Sequence, residues 1–389
     1  MLEQLKRLFF IKRHVYLDNN ATTCISRPVR ITMNRVLKYY WGNPSSAYQI
    51  GKMASQVIEQ ARQQVANVIN AHSHEIYFTG CATESNNAVL ITLSNHFYPK
   101  KKKIISTSIE HPSVINTLEF LKTQGIVVQY CPVDNYGFVS VKGLEDMIDE
   151  ETFLICCIFA NNEIGTIQNI KEISALAKSH NIHVLSDCVQ AFGKIPVNVK
   201  ELGVDYATFS AHKLYGPKGV GALYAKISSP LKAFIHGGHQ EEGMRAGTES
   251  VHNIAGFGKA CKDVNNLISY SEKTRLLKER FIKQLKVIKP DIIINSPTND
   301  CLPNTVSVTF TNINNGELMM MLDYYGISVS SGSACSTQLN KPSHVLKAIG
   351  LSDKAAEETI RISFGKDISV RDIRYTIKVI DNYIKGETK

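Results

Sequence analysis

Two kinds of hydrophobic spacing alternate along the middle of this chain. Short unbroken apolar runs occur at Glu75–Thr79, Lys103–Thr107, Val127–Cys131, Phe153–Ala160, His183–Ser186, Ala207–Ser210 and Val220–Tyr224, with the length and residue types of buried strands. Between most of them apolar residues return at helical spacing, which predicts helices such as Asn86–Ser94, Val114–Thr123 and Ile170–His180. Alternation of this kind builds a mostly parallel sheet covered on both faces. Upstream, Met53, Val57, Ala61, Val65 and Val68 share one side of a long amphipathic helix.

Downstream the pattern changes. A helix at Tyr270–Leu285 leads into strands at Thr305–Phe310, Ile327–Ser330 and Thr359–Ser363, with helices at Gly316–Tyr325 and Ser343–Ile349. A last helix carries Ile373, Ile377, Ile380 and Ile384 on one side. The expectation is an α/β protein: a mostly parallel seven-stranded sheet in a large domain, residues 22–268, and a smaller α+β domain from residues 1–21 and 269–389.

Composition narrows the class of protein. The 389 residues are 43% hydrophobic and 20% charged, ordinary for a globular chain with room for two cores. No apolar run reaches the ~18 residues of a membrane span. The net charge of +9 comes from scattered Lys and Arg, and the densest run, Lys100 to Lys103, reads as a solvated loop, so direct nucleic-acid binding is not expected. Nine cysteines, an odd number without C-x-x-C spacing, point to a reducing, cytoplasmic compartment with neither a disulfide framework nor a zinc site. The basic start, Met1 to His14, reads as an extension packing on the body.

Chemistry gathers where strands end, which is where open α/β sheets bind ligands. The successive strand ends carry Gly80-Cys81-Ala82-Thr83-Glu84-Ser85-Asn86, Glu110-His111-Pro112-Ser113, Asn161-Asn162-Glu163-Ile164-Gly165, Asp187-Cys188-Val189-Gln190 and Ser210-Ala211-His212-Lys213. Singly, each has a structural reading: Thr83 and Ser113 as helix caps, Asn162 as a turn former, His111 as a loop histidine, Asp187 as a structural carboxylate, Lys213 as a solvated lysine. Together they supply a carboxylate for a pyridinium nitrogen, a ring to stack, an amide, a phosphate cup and an amine for an aldehyde, the parts of a pyridoxal 5'-phosphate site. Cys335 lies in Ser330 to Thr337, a run of small polar residues that reads as a mobile, exposed loop; most other cysteines sit in apolar runs.

With Tyr16-Leu17-Asp18-Asn19-Asn20-Ala21-Thr22-Thr23, Gly42-Asn43-Pro44-Ser45-Ser46, Arg245-Ala246-Gly247-Thr248 and Ser331-Gly332-Ser333-Ala334-Cys335 added in order, nearly the whole chain resembles a cysteine desulfurase of the NifS/IscS type. Those proteins are class V aminotransferases of the fold-type I pyridoxal phosphate group. The resemblance implies Lys213 as Schiff base, Asp187 on the pyridinium nitrogen, Gln190 on the phenolic oxygen and His111 stacked on the ring and shuttling protons. It implies Ala82, Thr83, Ser210 and His212 around the phosphate, with Thr248 arriving from the second subunit of a homodimer. Asn162, also counted among the cofactor contacts, and Arg361 would hold the substrate carboxylate, with Asn43 as a helper.

The activity implied is conversion of L-cysteine to L-alanine, with the sulfur passing to Cys335 as a persulfide and then to an acceptor protein. An iron–sulfur scaffold, a tRNA-thiolation protein and a DNA-phosphorothioation protein all remain open as that acceptor. One motif departs from the family pattern: in Gly237-Gly238-His239-Gln240-Glu241-Glu242-Gly243, His239 replaces a glycine and Glu242 an arginine. The H-x-x-H that results lacks a third metal ligand at useful spacing, and no metal is expected. Two rivals are an enzyme of the same fold acting on another amino acid, which has no need of Cys335, and a non-catalytic sulfur carrier, which has no need of the cofactor set.

Overall fold

The computed structural model describes residues 13–332 and 342–387. After β1 (Val15–Tyr16) come the helices Arg27–Tyr39 and Gln49–Ile69, and then the strands of the large sheet. These are β2 (Ile76–Thr79), β3 (Lys103–Thr107), β4 (Val127–Cys131), β5 (Thr152–Cys156), β6 (His183–Asp187), β7 (Tyr206–Ser210) and β8 (Gly221–Ala225), in the spatial order β2-β8-β7-β6-β5-β3-β4. Neighbours from β4 across to β7 pair parallel, and β8 alone runs against both of its neighbours. Every residue of β3, β5, β7 and β8 is buried. That two-sided burial is why the sequence shows apolar runs there and not alternation.

One face of the sheet packs Ile105, Ile155 and Phe209 against Val65, Ile69 and Phe257 of the flanking helices. The other packs Ile104, Leu154 and Tyr206 against Leu90, Leu93, Val114 and Leu118. A separate core forms around an antiparallel sheet of β9 (Ile293–Ile294), β10 (Thr305–Thr309) and, beyond β11 (Ile327–Ser328), β12 (Thr359–Ser363), in the order β12-β10-β9. Val15 and Leu17 belong to that core together with Phe281, Val306, Ile360, Ile373 and Ile380, because β1 pairs parallel with β11. A small fourth cluster joins the two bodies, with Ile109, Ile158 and Ile164 from strand ends meeting Val345, Leu346 and Ile349.

Three differences from the sequence expectation bear on how the elements pack. The run Phe153–Ala160 is strand only to Cys156, after which the chain turns toward the sheet's carboxyl edge. The helices Arg27–Tyr39 and Val251–Lys262 carry weak sequence signals: the first buries only Val29 and Val36. In the second, a Cβ on Gly258 would lie 2.7 Å from the Ala61 Cα, so close helix–helix approach selects a residue that disfavours helix in isolation. Among the described residues no helix is long and apolar enough to cross a membrane.

Candidate active site

A cavity of about 240 Å³ opens at the carboxyl ends of β2, β3, β6 and β7. Ala82, Thr83, His111, Asn162, Asp187, Gln190, Ser210, His212, Lys213 and Arg361 all line it. Three expected residues stand elsewhere. Asn43 is exposed and caps its own turn, its Oδ1 accepting from the Ser45 N–H at 3.0 Å. Thr248 lines a neighbouring hollow with Gly80, Arg245 and Ser250. Cys335 lies outside the described residues.

Lys213 is placed by the end of β7, where the backbone tightens into a short turn, Ala211–Lys213. Gly216 closes that turn, since a Cβ there would stand 2.7 Å from the Ala211 carbonyl oxygen. The loop after β1 is laced to the same turn: the Thr23 N–H and hydroxyl both donate to the His212 carbonyl, at 2.9 and 2.8 Å. The Lys213 amine then donates to the carbonyls of Asn20 at 2.6 Å and Ala21 at 2.8 Å.

At the other end, the helix Ala82–Phe97 begins at Cys81 with no side chain capping its first turn, which leaves a helix N-terminus facing the cavity. Gly221 of β8 makes room for it: a Cβ there would meet the Cys81 carbonyl carbon at 2.7 Å and the Ala82 nitrogen at 2.9 Å. His212 sets its Nδ1 3.1 Å from the Thr22 hydroxyl. Burial above all, then Lys213, Lys218 and Lys194, lower its pKa to about 4.

Asp187, at the end of β6, is buried. Its carboxylate accepts from the Val189 N–H at 2.9 Å and the Asn86 amide at 3.3 Å, and it forms no ion pair among the described residues. A buried carboxylate facing a cavity calls for an N–H or a cation inside that cavity, which is what a protonated pyridine ring presents. His111 caps the helix Pro112–Lys122, its Nδ1 accepting from the Ser113 N–H at 3.1 Å. That bond assigns the ring proton to Nε2. Burial, then Lys213 and His344, hold the His111 pKa below the usual value against the pull of Asp187.

Arg361 reaches in from β12, donating to Asp18 Oδ1 at 2.6 Å and to the Asn162 carbonyl at 3.2 Å, while its buried Nε has no partner among the described residues. Asn20 ties these parts together. Its amide donates to the Asn162 carbonyl at 3.0 Å and the Thr305 hydroxyl at 2.8 Å, and its carbonyl accepts from Gln190 Nε2 at 3.0 Å. Asp18 and Asn20 stand in a quoted motif, but neither the motif nor the spacing pointed to these contacts.

Two carboxyls lie buried nearby. Glu110 accepts from the Thr107 hydroxyl at 2.5 Å and the Ile158 N–H at 2.7 Å, and burial pushes its pKa up to about 8. Glu163 accepts from the Ser343 hydroxyl at 2.6 Å, and a Cβ on Gly332 would lie 2.8 Å from its Oε2. Of the other thiols, Cys131, Cys156, Cys157, Cys188 and Cys261 are buried with pKa values raised by that burial. In the off-pattern stretch, Glu241 turns inward to a bidentate pair with Arg62, at 2.6 and 2.9 Å. No group of three His, Cys, Asp or Glu among the described residues is placed to hold a metal.

Comparison with known proteins gives a concordant result. The family model for aminotransferase class-V matches residues 15–375. A protein named cysteine desulfurase IscS from Dictyoglomus turgidum is 41% identical over 376 residues, covering 96% of this chain and 95% of that protein. A solved NifS-like protein superposes with a TM-score of 0.91 at 39% identity, over 96% of this chain and all of that one. The structure described as SspA in complex with cysteine superposes with a TM-score of 0.81 at 36% identity, over 90% of this chain and 98% of its own.

Proposed function

The chain belongs to the aminotransferase class-V family and is a pyridoxal-phosphate-dependent cysteine desulfurase, and we propose that the cavity around Lys213 carries out its reaction with Cys335 as the sulfur-accepting thiol. The observation that carries the assignment is the gathering, in one cavity, of a lysine amine, a buried carboxylate, an uncapped helix N-terminus and an arginine, the carboxylate without an ion pair and the arginine Nε without a partner among the described residues.

When bound, the cofactor supplies an electron sink for bonds at the substrate Cα. Lys213 would hold the cofactor through its amine and is placed to carry the substrate Cα proton. Asp187 would hold a proton on the ring nitrogen, the state in which the ring draws electrons best. Ala82 and Thr83 in the first turn of the helix Ala82–Phe97, with Ser210 and a neutral His212, would hold the cofactor phosphate. His111, neutral by burial, accepts and returns protons beside the substrate. Arg361, already oriented by Asp18 and Asn162, takes the substrate carboxylate on its unpartnered side.

The Cys335 thiolate attacks the sulfur of L-cysteine: a sulfur–sulfur bond forms as the substrate Cβ–S bond breaks, and a proton at Cβ completes L-alanine. Thiol plus cysteine become persulfide plus alanine, so no outside oxidant is needed.

A second copy completes the site. Thr248 stands beside, not in, the cavity of its own chain, and the large hydrophobic residues Leu37, Tyr39, Trp41 and Tyr48, at and just beyond the end of the helix Arg27–Tyr39, are each exposed, which suits a face covered by a second copy. A homodimer across that face brings Thr248 to the partner's phosphate. The persulfide then passes to an acceptor protein.

The test is intact mass after L-cysteine, with alanine assayed alongside, for wild type and Cys335→Ala. A reducible gain of one sulfur atom on Cys335, with alanine from the wild type only, is the expected result. Undiminished alanine from Cys335→Ala would sink the assignment of the thiol.

A further inference from the structure

The loop after β5 carries two adjacent residues with different duties. Asn162 gives its carbonyl to Arg361 at 3.2 Å. Glu163, next in the chain, is buried and reaches a different pair of residues. Its Oε2 accepts from the Ser343 hydroxyl at 2.6 Å, and the Gly332 backbone passes so close that a Cβ there would stand 2.8 Å from the same oxygen. Gly332 and Ser343 flank the stretch that carries Cys335. One carboxyl oxygen therefore meets both ends of that stretch.

The frame around this contact is built from hydrogen bonds. Asn161 fixes the loop, its Oδ1 accepting from the Glu163 and Ile164 N–H groups at 2.8 and 3.0 Å and its amide donating to the Ile109 carbonyl at 2.9 Å. Ser330 exchanges main-chain bonds with Arg361 at 2.6 and 3.2 Å, and its hydroxyl donates to the Gly332 carbonyl at 3.0 Å. Ser343 accepts from the Val345 and Leu346 N–H groups at 3.1 and 3.3 Å, which leaves its hydroxyl proton for Glu163. His344 then sets its Nε2 2.8 Å from the Glu110 carbonyl. Burial raises the Glu163 pKa against the pull of Ser343, His344 and Arg361. The bond from Ser343 needs only an oxygen, which a carboxyl offers with or without its proton.

We propose that Glu163 is a positioning residue for sulfur transfer: by fastening Ser343 and backing Gly332 in the frame that also holds Arg361, it sets where Cys335 meets the substrate sulfur. The inference rests on Cys335 being the sulfur-accepting thiol.

The experiment reads two reactions of the pyridoxal-phosphate-loaded protein in parallel. Alanine formed from L-cysteine in a single turnover needs the thiol; exchange of the Cα hydrogen of L-alanine in heavy water, followed by mass spectrometry, does not. Cys335→Ala checks the footing separately. Loss of alanine formation with exchange retained upholds it, whereas undiminished alanine formation removes the assignment of the thiol and this inference with it. With that footing in place, Glu163→Ala is expected to lower alanine formation by about 10²-fold, the scale for a misplacement of about an ångström at reacting atoms, with exchange near the wild-type rate. Glu163→Gln keeps an oxygen for Ser343 and holds both reactions near wild type. Gly332→Ala drives a methyl group at the Glu163 carboxyl and gives the same split if Glu163→Ala does not fold. Unimpaired alanine formation in Glu163→Ala overturns the proposal, as does an equal fall in both reactions or a glutamine variant as impaired as the alanine one.

Discussion

At the scale of single residues, the cavity works by withholding partners. Among the described residues Asp187 has two neutral donors and no ion pair, and Arg361 keeps one nitrogen unpartnered. Asp187→Asn keeps the shape and removes the charge. Turnover of L-cysteine should fall by about 10²-fold or more, the scale for losing one preorganised electrostatic contact, while the folded protein still takes up cofactor. Alanine formation and visible absorbance measured on the same sample separate the two effects. Glu110 supplies a pH signature. Its folded pKa of about 8 lies above the 4.5 of an ordinary glutamate, so between those values the folded state holds the extra proton. The stability this contributes is complete below pH ~4.5 and is lost as pH rises through ~8, at no more than about 1.4 kcal/mol per pH unit. Glu110→Gln keeps an oxygen for Thr107 and Ile158 and should flatten the slope in denaturant unfolding between pH 5 and 8. His212 acts in the opposite sense below its ordinary pKa, so the difference between wild type and variant is the quantity to read. Parallel slopes would contradict the buried-acid account.

At the scale of elements, glycines decide how closely the site's walls approach. Gly221→Ala would press a methyl group into the Cys81 carbonyl carbon and the Phe209 carbonyl oxygen, each at 2.7 Å. The expected cost is about 1–3 kcal/mol, read as a lower Tm, with faster loss of cofactor because the first turn of the helix Ala82–Phe97 is displaced. An unchanged Tm and unchanged cofactor retention would refute this packing role. Elements also explain what could be read from the chain alone. The buried strands announced themselves as apolar runs, and the residues at their carboxyl ends followed from strand order, which is why Asp187, His111 and Lys213 were accessible to sequence reasoning. The helix Val251–Lys262 was not, because Gly256 and Gly258 satisfy neighbours far away in sequence. The contacts of Glu163 were missed for the same kind of reason: it looks like any turn carboxylate until the fold brings Ser343 to it.

At the scale of the whole molecule, the proposed dimer and the active site are one structure. Trp41 is 70% exposed, on the surface proposed to meet the second copy. Trp41→Asp should yield monomers by sedimentation and weaken cofactor binding, since Thr248 can no longer reach the partner's phosphate. A variant that remains dimeric, or a monomer with undiminished cofactor affinity, would separate the two. The core shared by Val15, Leu17, Ile373 and Ile380 sets a further condition, because Arg361 of β12 meets Asp18 from the far end of the chain. On the ribosome the large sheet can form while the last helix is still being synthesised. Asp18 and Asn20 then wait for a strand that emerges only near the end of translation. If Arg361 holds the substrate carboxylate as proposed, substrate handling switches on late in synthesis, and a nascent or prematurely terminated chain that has already folded its large sheet still lacks that grip.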